Sequence, residues 1–283
     1  MTRRRFGVST HLYHDQRLSR DHLLEIAAHG FETVELFATR SHFDYHDPSA
    51  IEALASWLTD AGLVLHSIHA PIVDSLKHDR WGRGFSNARR DQDARAEAVR
   101  ETAAALDIAR RIPTGFLVVH LGTPLSQQPR PDDNDFGAAA RSVEEIHRLA
   151  RPLGVRVALE VIPNALSTAP ALVKAIEEDE LELPDVGICM DFGHGFLMGD
   201  LTDAVETASG HLITTHVHDN HGKTDDHLMP FDGAIDWPAT LMATQKIGYE
   251  GPLMLEVRNT STPAAVLERA RRARRQFDEL FGT

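Results

Sequence analysis

Short apolar segments recur along the chain, separated by longer stretches of mixed polarity. Several of these segments are rich in Val, Ile and Leu, as strands that are buried on both faces must be, and each is too short for a typical helix. The pattern predicts eight strands, over residues 6–9, 33–37, 63–68, 116–121, 156–162, 186–190, 213–218 and 253–257.

The stretches between the predicted strands carry helical spacing and recognisable helix ends. Helix starts are predicted at Ser19, Asp47 and Thr262, because these residue types cap helices and a proline follows the last two. Gly30 indicates the end of the first helix, since glycine favours the left-handed conformation found there. Residues 94–112 predict one long helix rich in Ala, Arg and Glu.

Strand and helix alternate along the whole chain. Such alternation implies a parallel sheet, and eight repeats of the unit within 283 residues favour a closed barrel over an open sheet. No segment has the composition of a domain linker. The predicted fold is α/β, a (β/α)₈ TIM barrel, formed as a single domain over residues 1–283.

Charge and hydropathy argue against two classes of partner. The formal net charge is −13, and only four of the 29 basic residues are lysines. A nucleic-acid-binding surface usually carries a basic face, so we do not expect a nucleic-acid partner. No apolar run approaches the roughly 18 residues that a membrane span needs, so no membrane partner is expected either.

Cysteine usage and the N-terminus bear on the cellular compartment. Cys189 is the single cysteine, so no intrachain disulfide can form, which fits a reducing compartment. Because it lies in an apolar run, we predict a buried strand position rather than a nucleophile. The basic N-terminal residues are not followed by the apolar region of a signal peptide. We therefore expect a cytoplasmic protein.

Polar residues that bind metals or move protons stand at the ends of the predicted strands and in one loop. They are His69, His120, Glu160, Asp191, His194, His216, His218, Asp225, His227 and Glu256. In a parallel barrel the carboxyl ends of all strands open on one face, where active sites form. A carboxylate inside an apolar run is costly unless it is paired or bound to a metal. We therefore predict a metal site at this face.

The types of ligand indicate which ions fit. The predicted centre consists of Glu160, Asp191, His216 and Glu256. Three carboxylates and one imidazole suit Mn²⁺, Mg²⁺, Co²⁺ or Zn²⁺, and open coordination positions would accept two substrate oxygens. His69 and His120, sharing Glu160, would form a second site that suits zinc. A third set would comprise Asp191, His194, Asp225 and His227. We expect one to three divalent ions.

The same residues form sequence motifs that occur together in a known protein superfamily. The motifs are His69-Ala70-Pro71, His120-Leu121-Gly122, Glu160, Asp191-x-x-His194, His216-x-x-Asp219, Asp225-x-His227 and Glu256. With them the chain resembles, over nearly its whole length, the xylose-isomerase-like TIM-barrel superfamily. That superfamily includes sugar isomerases and epimerases and the endonuclease IV type of DNA-repair enzyme, so fold alone does not choose a function.

The resemblance implies different roles in the two branches. In the endonuclease IV branch nine residues bind three zinc ions, and the matching positions here are His69, His120, Glu160, Asp191, His194, His216, Asp225, His227 and Glu256. The epimerase and isomerase branch needs only Glu160, Asp191, His216 and Glu256, and the two glutamates also act as acid–base groups. In that branch His194 resembles a substrate-binding histidine.

Other segments favour the sugar branch. Residues 218–227 and 233–237 resemble sugar isomerase- and epimerase-like proteins. After Glu160 the chain runs Val161-Ile162-Pro163-Asn164, where the repair enzymes typically have an Asn-Thr-Ala-Gly type of loop. Ile72 stands where they usually place a tyrosine near DNA. These departures argue against DNA repair but leave phosphodiester chemistry open.

Two predicted loops and two strand-end residues are candidates for substrate contact. Residues 37–47 and 74–90 carry aromatic and basic side chains, among them Trp81, that suit a sugar or an anionic group; the alternative is a pair of solvated rim loops. Arg258 lies on the same side of its strand as Glu256 and would bind an anionic group or pair with a nearby carboxylate. His218 shares a side with His216 and would support the ligands or contact the substrate.

Three functional hypotheses follow. The first is a metal-dependent isomerase or epimerase of a sugar, sugar phosphate or polyol, with Glu160 and Glu256 exchanging a proton next to a carbonyl held by the metal. Dehydration of an inosose-type substrate shares its first step. The second is hydrolysis of a phosphate ester or abasic DNA by several zinc ions, and the third is a non-catalytic metal-binding barrel. A homo-oligomer is an open alternative to a monomer, since such barrels often pair.

Overall fold

Eight parallel strands close into a barrel in the computed structural model, which describes residues 4–77, 80–177, 183 and 185–282. The strands are β1 Phe6–Ser9, β2 Thr33–Phe37, β3 Val64–His69, β4 Phe116–His120, β5 Arg156–Glu160, β6 Gly187–Asp191, β7 Leu212–Val217 and β8 Leu253–Leu255. Their order around the barrel is β1-β8-β7-β6-β5-β4-β3-β2, with β1 pairing with both β8 and β2. The predicted (β/α)₈ barrel is confirmed. Residues 1–3, at the start of the basic N-terminal segment, lie outside the described residues.

All eight predicted strands are present, and their ends differ from the prediction by at most two residues. The strand β5 ends at Glu160 and β8 ends at Leu255, each two residues before its predicted end. Consequently Glu160 is the last residue of its strand and Glu256 directly follows its strand. Both side chains therefore stand at the mouth formed by the carboxyl ends of the strands.

Helices cover the outside of the barrel. Within the described residues they are α1 Arg20–Ala28, α2 Pro48–Ala61, α3 Gln92–Leu106, α4 Phe136–Ala150, α5 Ala169–Glu177, α6 Phe192–Met198, α7 Leu201–Thr207, α8 Trp237–Lys246 and α9 Pro263–Phe281. The predicted caps are confirmed at Asp47, which accepts from the Ser49 amide, and at Thr262. Gly30 adopts φ +83° just after α1. None of the described helices has both the length and the apolar character to cross a bilayer.

The prediction of one long helix over residues 94–112 is wrong at both ends. The side chain of Asp91 accepts a hydrogen bond from the Ala94 amide at 2.8 Å, so α3 begins two residues earlier, at Gln92. At the other end α3 stops at Leu106 and continues as a 3₁₀ turn over Asp107–Arg110. Tightening of the last turn in this way is common at helix C-termini.

A thin apolar layer inside the barrel supports the residues at its mouth. Val118, Ala158 and Cys189 pack together as a cluster separate from the main core between strands and helices. Each lies two residues before a polar residue at the end of its own strand, so both point into the barrel. Cys189 is fully buried, as predicted. A layer of apolar side chains therefore lies next to the polar site inside the barrel.

The loop after β2 is part of the core rather than a solvated rim. Phe43 and Tyr45 are each 2% exposed and His42 is completely buried. Nδ1 of His42 donates to the carbonyl of Gln16 at 2.7 Å, and the His42 carbonyl accepts from the Leu18 amide at 2.9 Å. These contacts fasten the loop after β2 to the loop after β1.

The buried imidazole of His42 predicts a loss of stability in acid. Burial, partly offset by the hydrogen bond to Gln16, lowers the pKa of His42 to about 4. An unfolded histidine has a pKa of about 6.5, so between these values the unfolded state binds more protons and stability falls as the pH falls. The variant His42→Gln keeps a donor but does not titrate. Between pH 7 and pH 4 its free energy of unfolding should therefore decrease less than that of the wild type, by up to about 3 kcal/mol.

Urea denaturation in the presence of a chelator measures this effect without a contribution from metal binding. The exposed residue His221 supplies the control, and His221→Gln should follow the wild-type pH profile. A wild-type pH profile for His42→Gln as well would show that the buried imidazole does not cause the acid loss.

Candidate metal centre

Four side chains from neighbouring strands converge at the mouth of the barrel. Glu160 ends β5, Asp191 ends β6, His216 lies one residue before the end of β7, and Glu256 follows β8. One ligand atom from each lies within 4.8 Å of the others, and all four residues are buried. The structure thus brings together the four residues predicted as the central site.

The shorter distances in this central group approach those of a coordination shell. Nδ1 of His216 lies 3.2 Å from Oε1 of Glu160, 3.5 Å from Oε2 of Glu256 and 3.9 Å from Oδ2 of Asp191. Ligands bound at about 2.1 Å to one ion lie roughly 3.0–3.4 Å from each other, because that is the edge of a tetrahedron or octahedron of this size. The shorter separations match this edge.

Four atoms of the central group lack hydrogen-bond partners among the described residues. They are both carboxylate oxygens of Glu160, Oδ2 of Asp191 and Nδ1 of His216, and all four are buried. Buried polar atoms without partners are costly, so native proteins normally pair them with a group or an ion. Three carboxylates and an imidazole turned toward one point fit a divalent cation.

Local structure explains why Asp191 presents only one oxygen. The side chain caps the N-terminus of α6, with Oδ1 accepting the His194 amide hydrogen at 2.7 Å. The same oxygen lies 3.0 Å from Nε2 of His218. Because Oδ1 is held on this side, Oδ2 is left facing the central group.

In the metal-free protein the buried carboxylates and imidazoles shift the pKa values of one another. Burial opposes ionisation of Glu160, but His120 and His216 hold the pKa of that carboxyl well below its ordinary value. Burial likewise opposes protonation of His216, yet Cys189, Glu35 and the neighbouring carboxylates raise the pKa of its imidazole well above the ordinary value. Protonated imidazoles therefore balance the carboxylates, and metal binding would displace those protons.

A second group shares Glu160 with the first. Oε2 of Glu160 lies 3.0 Å from Nε2 of His120 and 3.2 Å from Nε2 of His69. Nδ1 of His69 donates to the carbonyl of Ala70 at 2.9 Å, so the other ring nitrogen is the one that faces Glu160. The structure brings these three predicted residues together.

A third group lies on the other side of the centre and differs from the predicted set. It comprises His194, His218, Asp225 and His227, whereas Asp191 belongs to the central group. Oδ2 of Asp225 lies 3.1 Å from Nε2 of His194 and 3.3 Å from Nε2 of His227. The ring of His218, predicted as a supporting or substrate-contacting residue, is fully buried and stacks on His227 at 4.0 Å.

The loop that supplies the third group is anchored by a buried carboxylate. Asp219 accepts hydrogen bonds from the amides of Asn220, Phe231 and Ile235 and from Nε1 of Trp237, at 2.9–3.2 Å. Nδ1 of His227 donates to the Glu256 carbonyl at 2.8 Å. These hydrogen bonds therefore hold the long loop after β7 in a defined conformation, which brings His227 to the metal centre.

Sequence reasoning missed two residues beside the site. Glu35, in the middle of β2, is fully buried and accepts a hydrogen bond from Nε2 of His216 at 2.9 Å. His11, just after β1, lies 5.1 Å from His227 between ring centroids. The available signals were a carboxylate within the apolar strand Thr33–Phe37 and a histidine just beyond the first strand.

The remaining predicted substrate contacts lie farther out. Trp81 is 52% exposed and belongs to a two-stranded hairpin formed by Leu76–Lys77 and Arg80–Trp81. Arg258 is exposed, and its amide donates to the carbonyl of His227 at 2.9 Å. Their roles as substrate contacts stay predictions, as does that of His194.

Comparison with known proteins shows which barrels this chain resembles. A family profile described as xylose isomerase-like TIM barrel matches residues 23–278. The inosose isomerase of Bacillus velezensis is 24% identical over 236 residues, which cover 76% of this chain and 79% of that protein.

Solved structures share the fold over nearly the whole chain. A D-tagatose 3-epimerase-like protein matches with a TM-score of 0.79 and 24% identity, covering 98% of this chain and 97% of that one. The IOLI protein, solved with a bound zinc atom, matches with a TM-score of 0.77 and 18% identity over 98% of this chain and 97% of that one. The zinc belongs to that protein, and the shared barrel is what the two chains have in common.

Replacement of a central carboxylate should remove metal binding without loss of the fold. Loss of an outer hydrogen-bond partner of a metal ligand typically costs about 10- to 100-fold in metal affinity, so Asp191→Asn, which removes a ligand charge, should cost about 100-fold or more. Asn caps helices as well as Asp does, so α6 should remain intact. Competition titration with a chelating dye measures the affinity.

The matched control is Asp200→Asn. Asp200 caps α7 through the Asp203 amide in the same way that Asp191 caps α6, but it lies outside the three groups. This variant should bind metal like the wild type. Equal affinities for Asp191→Asn and Asp200→Asn would rule out the central group as the metal site.

Proposed function

The chain belongs to the family of xylose isomerase-like TIM barrels, and on that premise we propose that it is a divalent-metal-dependent isomerase or epimerase of a sugar or related polyol. The observation that carries the proposal is the placement of Glu160 and Glu256 around one imidazole nitrogen. They reach it from β5 and β8, which are three positions apart in the barrel. Two carboxylates that approach one point from different directions suit the removal of a proton on one side and its return on another.

The relatives support this class of reaction. One is named an inosose isomerase and another a D-tagatose 3-epimerase-like protein, and both names describe rearrangement of polyhydroxylated carbonyl compounds. We propose a substrate of this class, with a carbonyl group next to a carbon that carries hydrogen and hydroxyl. The substrate is expected to be a small molecule that enters at the carboxyl ends of the strands.

A divalent cation held by the central group would supply Lewis-acid chemistry, polarising a carbonyl and acidifying the adjacent C–H bond. The residues that would hold it are Glu160, Asp191, His216 and Glu256. Mn²⁺, Mg²⁺, Co²⁺ and Zn²⁺ all suit this set of oxygen and nitrogen donors.

The protein's own residues carry the proton. The imidazoles beside Glu160 lower the pKa of its carboxyl despite burial, so the carboxylate is in the ionised form that a general base requires. In an epimerisation one glutamate takes the proton and the other returns one to the opposite face of the same carbon. In an isomerisation the proton returns to the neighbouring carbon. Neither reaction changes the composition of the substrate.

Hydrogen exchange at carbon tests the proposal directly. The metal-loaded protein, incubated in D₂O with a panel of ketoses, aldoses and inososes, should introduce deuterium next to the carbonyl of at least one of them. Glu256→Gln should slow this exchange by about 100-fold or more, since general acid–base groups contribute about 10²–10⁴ in rate. Mass spectrometry and NMR locate the label.

Glu250→Gln serves as the control, because Glu250 is exposed and lies just before β8. This variant should exchange at the wild-type rate. Absence of deuterium at every substrate carbon, with metal bound, would contradict the proposed reaction. A product lighter by one water would instead identify an inosose-type dehydratase, which shares the first proton transfer.

The two flanking groups favour one alternative, a multi-zinc phosphodiesterase resembling endonuclease IV. His69 and His120 on one side, and His194, Asp225 and His227 on the other, stand where two more ions would bind. Several ions together can stabilise both the attacking and the leaving oxygen of a phosphate ester. Three metals per chain with nicking of an abasic duplex would favour this function, and one metal without nicking would favour sugar chemistry.

A further inference from the structure

Glu35 contacts the metal centre from inside the barrel, although it belongs to none of the three groups. Its side chain projects from the middle of β2 into the barrel and is fully buried. Oε2 accepts hydrogen bonds from Nε2 of His216 at 2.9 Å and from Oγ of Ser67 at 2.8 Å. The strands β2 and β7 do not pair, because β1 and β8 lie between them. This contact therefore exists only through side chains that meet across the barrel interior.

Stability alone does not explain a carboxylate at this position. Burial of a charged group costs several kcal/mol unless partners compensate, and a well-packed apolar residue is often at least as stable. The barrel interior also holds the apolar side chains of Val118, Ala158 and Cys189. Oε1 of Glu35 has no hydrogen-bond partner, so the carboxylate is incompletely satisfied as well.

In the neutral imidazole that a metal ion requires, the hydrogen bond to Glu35 decides which nitrogen of His216 carries the proton. A neutral imidazole has one N–H and one lone pair. Because a carboxylate accepts, Nε2 must be the donor, and the lone pair is then on Nδ1. That nitrogen is the atom that faces Glu160, Asp191 and Glu256.

We propose that Glu35 is a positioning residue, which holds His216 in the Nε2–H tautomer and in the ring orientation that makes Nδ1 a metal ligand. A carboxylate behind a histidine ligand also increases the basicity of the ligand and so strengthens the metal bond. Ser67, from β3, holds the same carboxylate oxygen in place. The inference depends on the proposed metal centre but not on the reaction that the centre catalyses.

The test is Glu35→Gln, which preserves shape and removes the charge. Affinity for Co²⁺, measured by competition with a chelator, should fall by about 10- to 100-fold, the usual cost of losing an outer partner of a metal ligand. The visible absorption bands of bound Co²⁺ should change, because the position and basicity of one ligand change. The thermal midpoint of the metal-free variant, measured in parallel, shows that the protein is folded.

Glu25→Gln is the matched control. Glu25 also accepts a hydrogen bond within the protein, from the hydroxyl of Tyr13 at 2.8 Å, but it lies on α1, outside the barrel interior. This variant should keep wild-type Co²⁺ affinity and spectrum. Ser67→Ala gives a second measurement if Glu35→Gln does not fold, and it should reduce Co²⁺ affinity in the same direction but less.

The outcomes separate this inference from the proposed function. Wild-type Co²⁺ affinity and spectrum in Glu35→Gln, or wild-type affinity in Ser67→Ala when the first variant does not fold, would overturn the role of Glu35 and leave the metal centre standing. A wild-type protein that binds no Co²⁺ at all would overturn both. Weaker binding by Glu35→Gln, together with an absence of isomerase activity in the wild type, would support the positioning role and count only against the proposed reaction.

Discussion

Mutual repulsion among buried carboxylates is the constraint around which the mouth of the barrel is built. Glu35, Glu160, Asp191 and Glu256 are each at most 3% exposed. Imidazoles lie between them, and their charges keep the pKa of Glu160 low while the carboxylates raise the pKa of His69 to about 9, in both cases against the effect of burial. A divalent cation among the same atoms would supply this positive charge in place of protons.

The protein prepares several of the ligands by holding their other polar atom. Oδ1 of Asp191 is occupied by the helix cap of α6, and Nε2 of His216 is occupied by Glu35. In three further histidines, Nδ1 donates to a backbone carbonyl and Nε2 faces a carboxylate; these are His69, His194 and His227. Because the backbone supplies most of these partners, the geometry of the centre follows from the barrel itself.

One set of residues is compatible with both chemistries that the family includes. A metal ion in the central group would serve proton transfer next to a carbonyl and ester hydrolysis alike. The two functions differ in whether the flanking imidazoles bind further ions or contact substrate hydroxyls. His194 illustrates the point, because its Nε2 faces Asp225 at 3.1 Å and that pair suits either role. Loops that exclude or admit a nucleic-acid backbone would then decide between small and large substrates.

The sequence by itself determined the eight strands and the polar residues at their ends, because buried parallel strands are continuous apolar runs and the polar residues that interrupt them stand out. The loop residues Asp225 and His227 completed the set of nine only through the motifs that carry the family resemblance. The sequence did not reveal that Glu35 contacts His216, 181 residues away, or that His218 joins the third group. It also did not show that His42, Phe43 and Tyr45 are buried. A linear pattern reports which residues alternate between faces, whereas partners across a closed barrel are decided by the order and register of strands that only the tertiary structure defines.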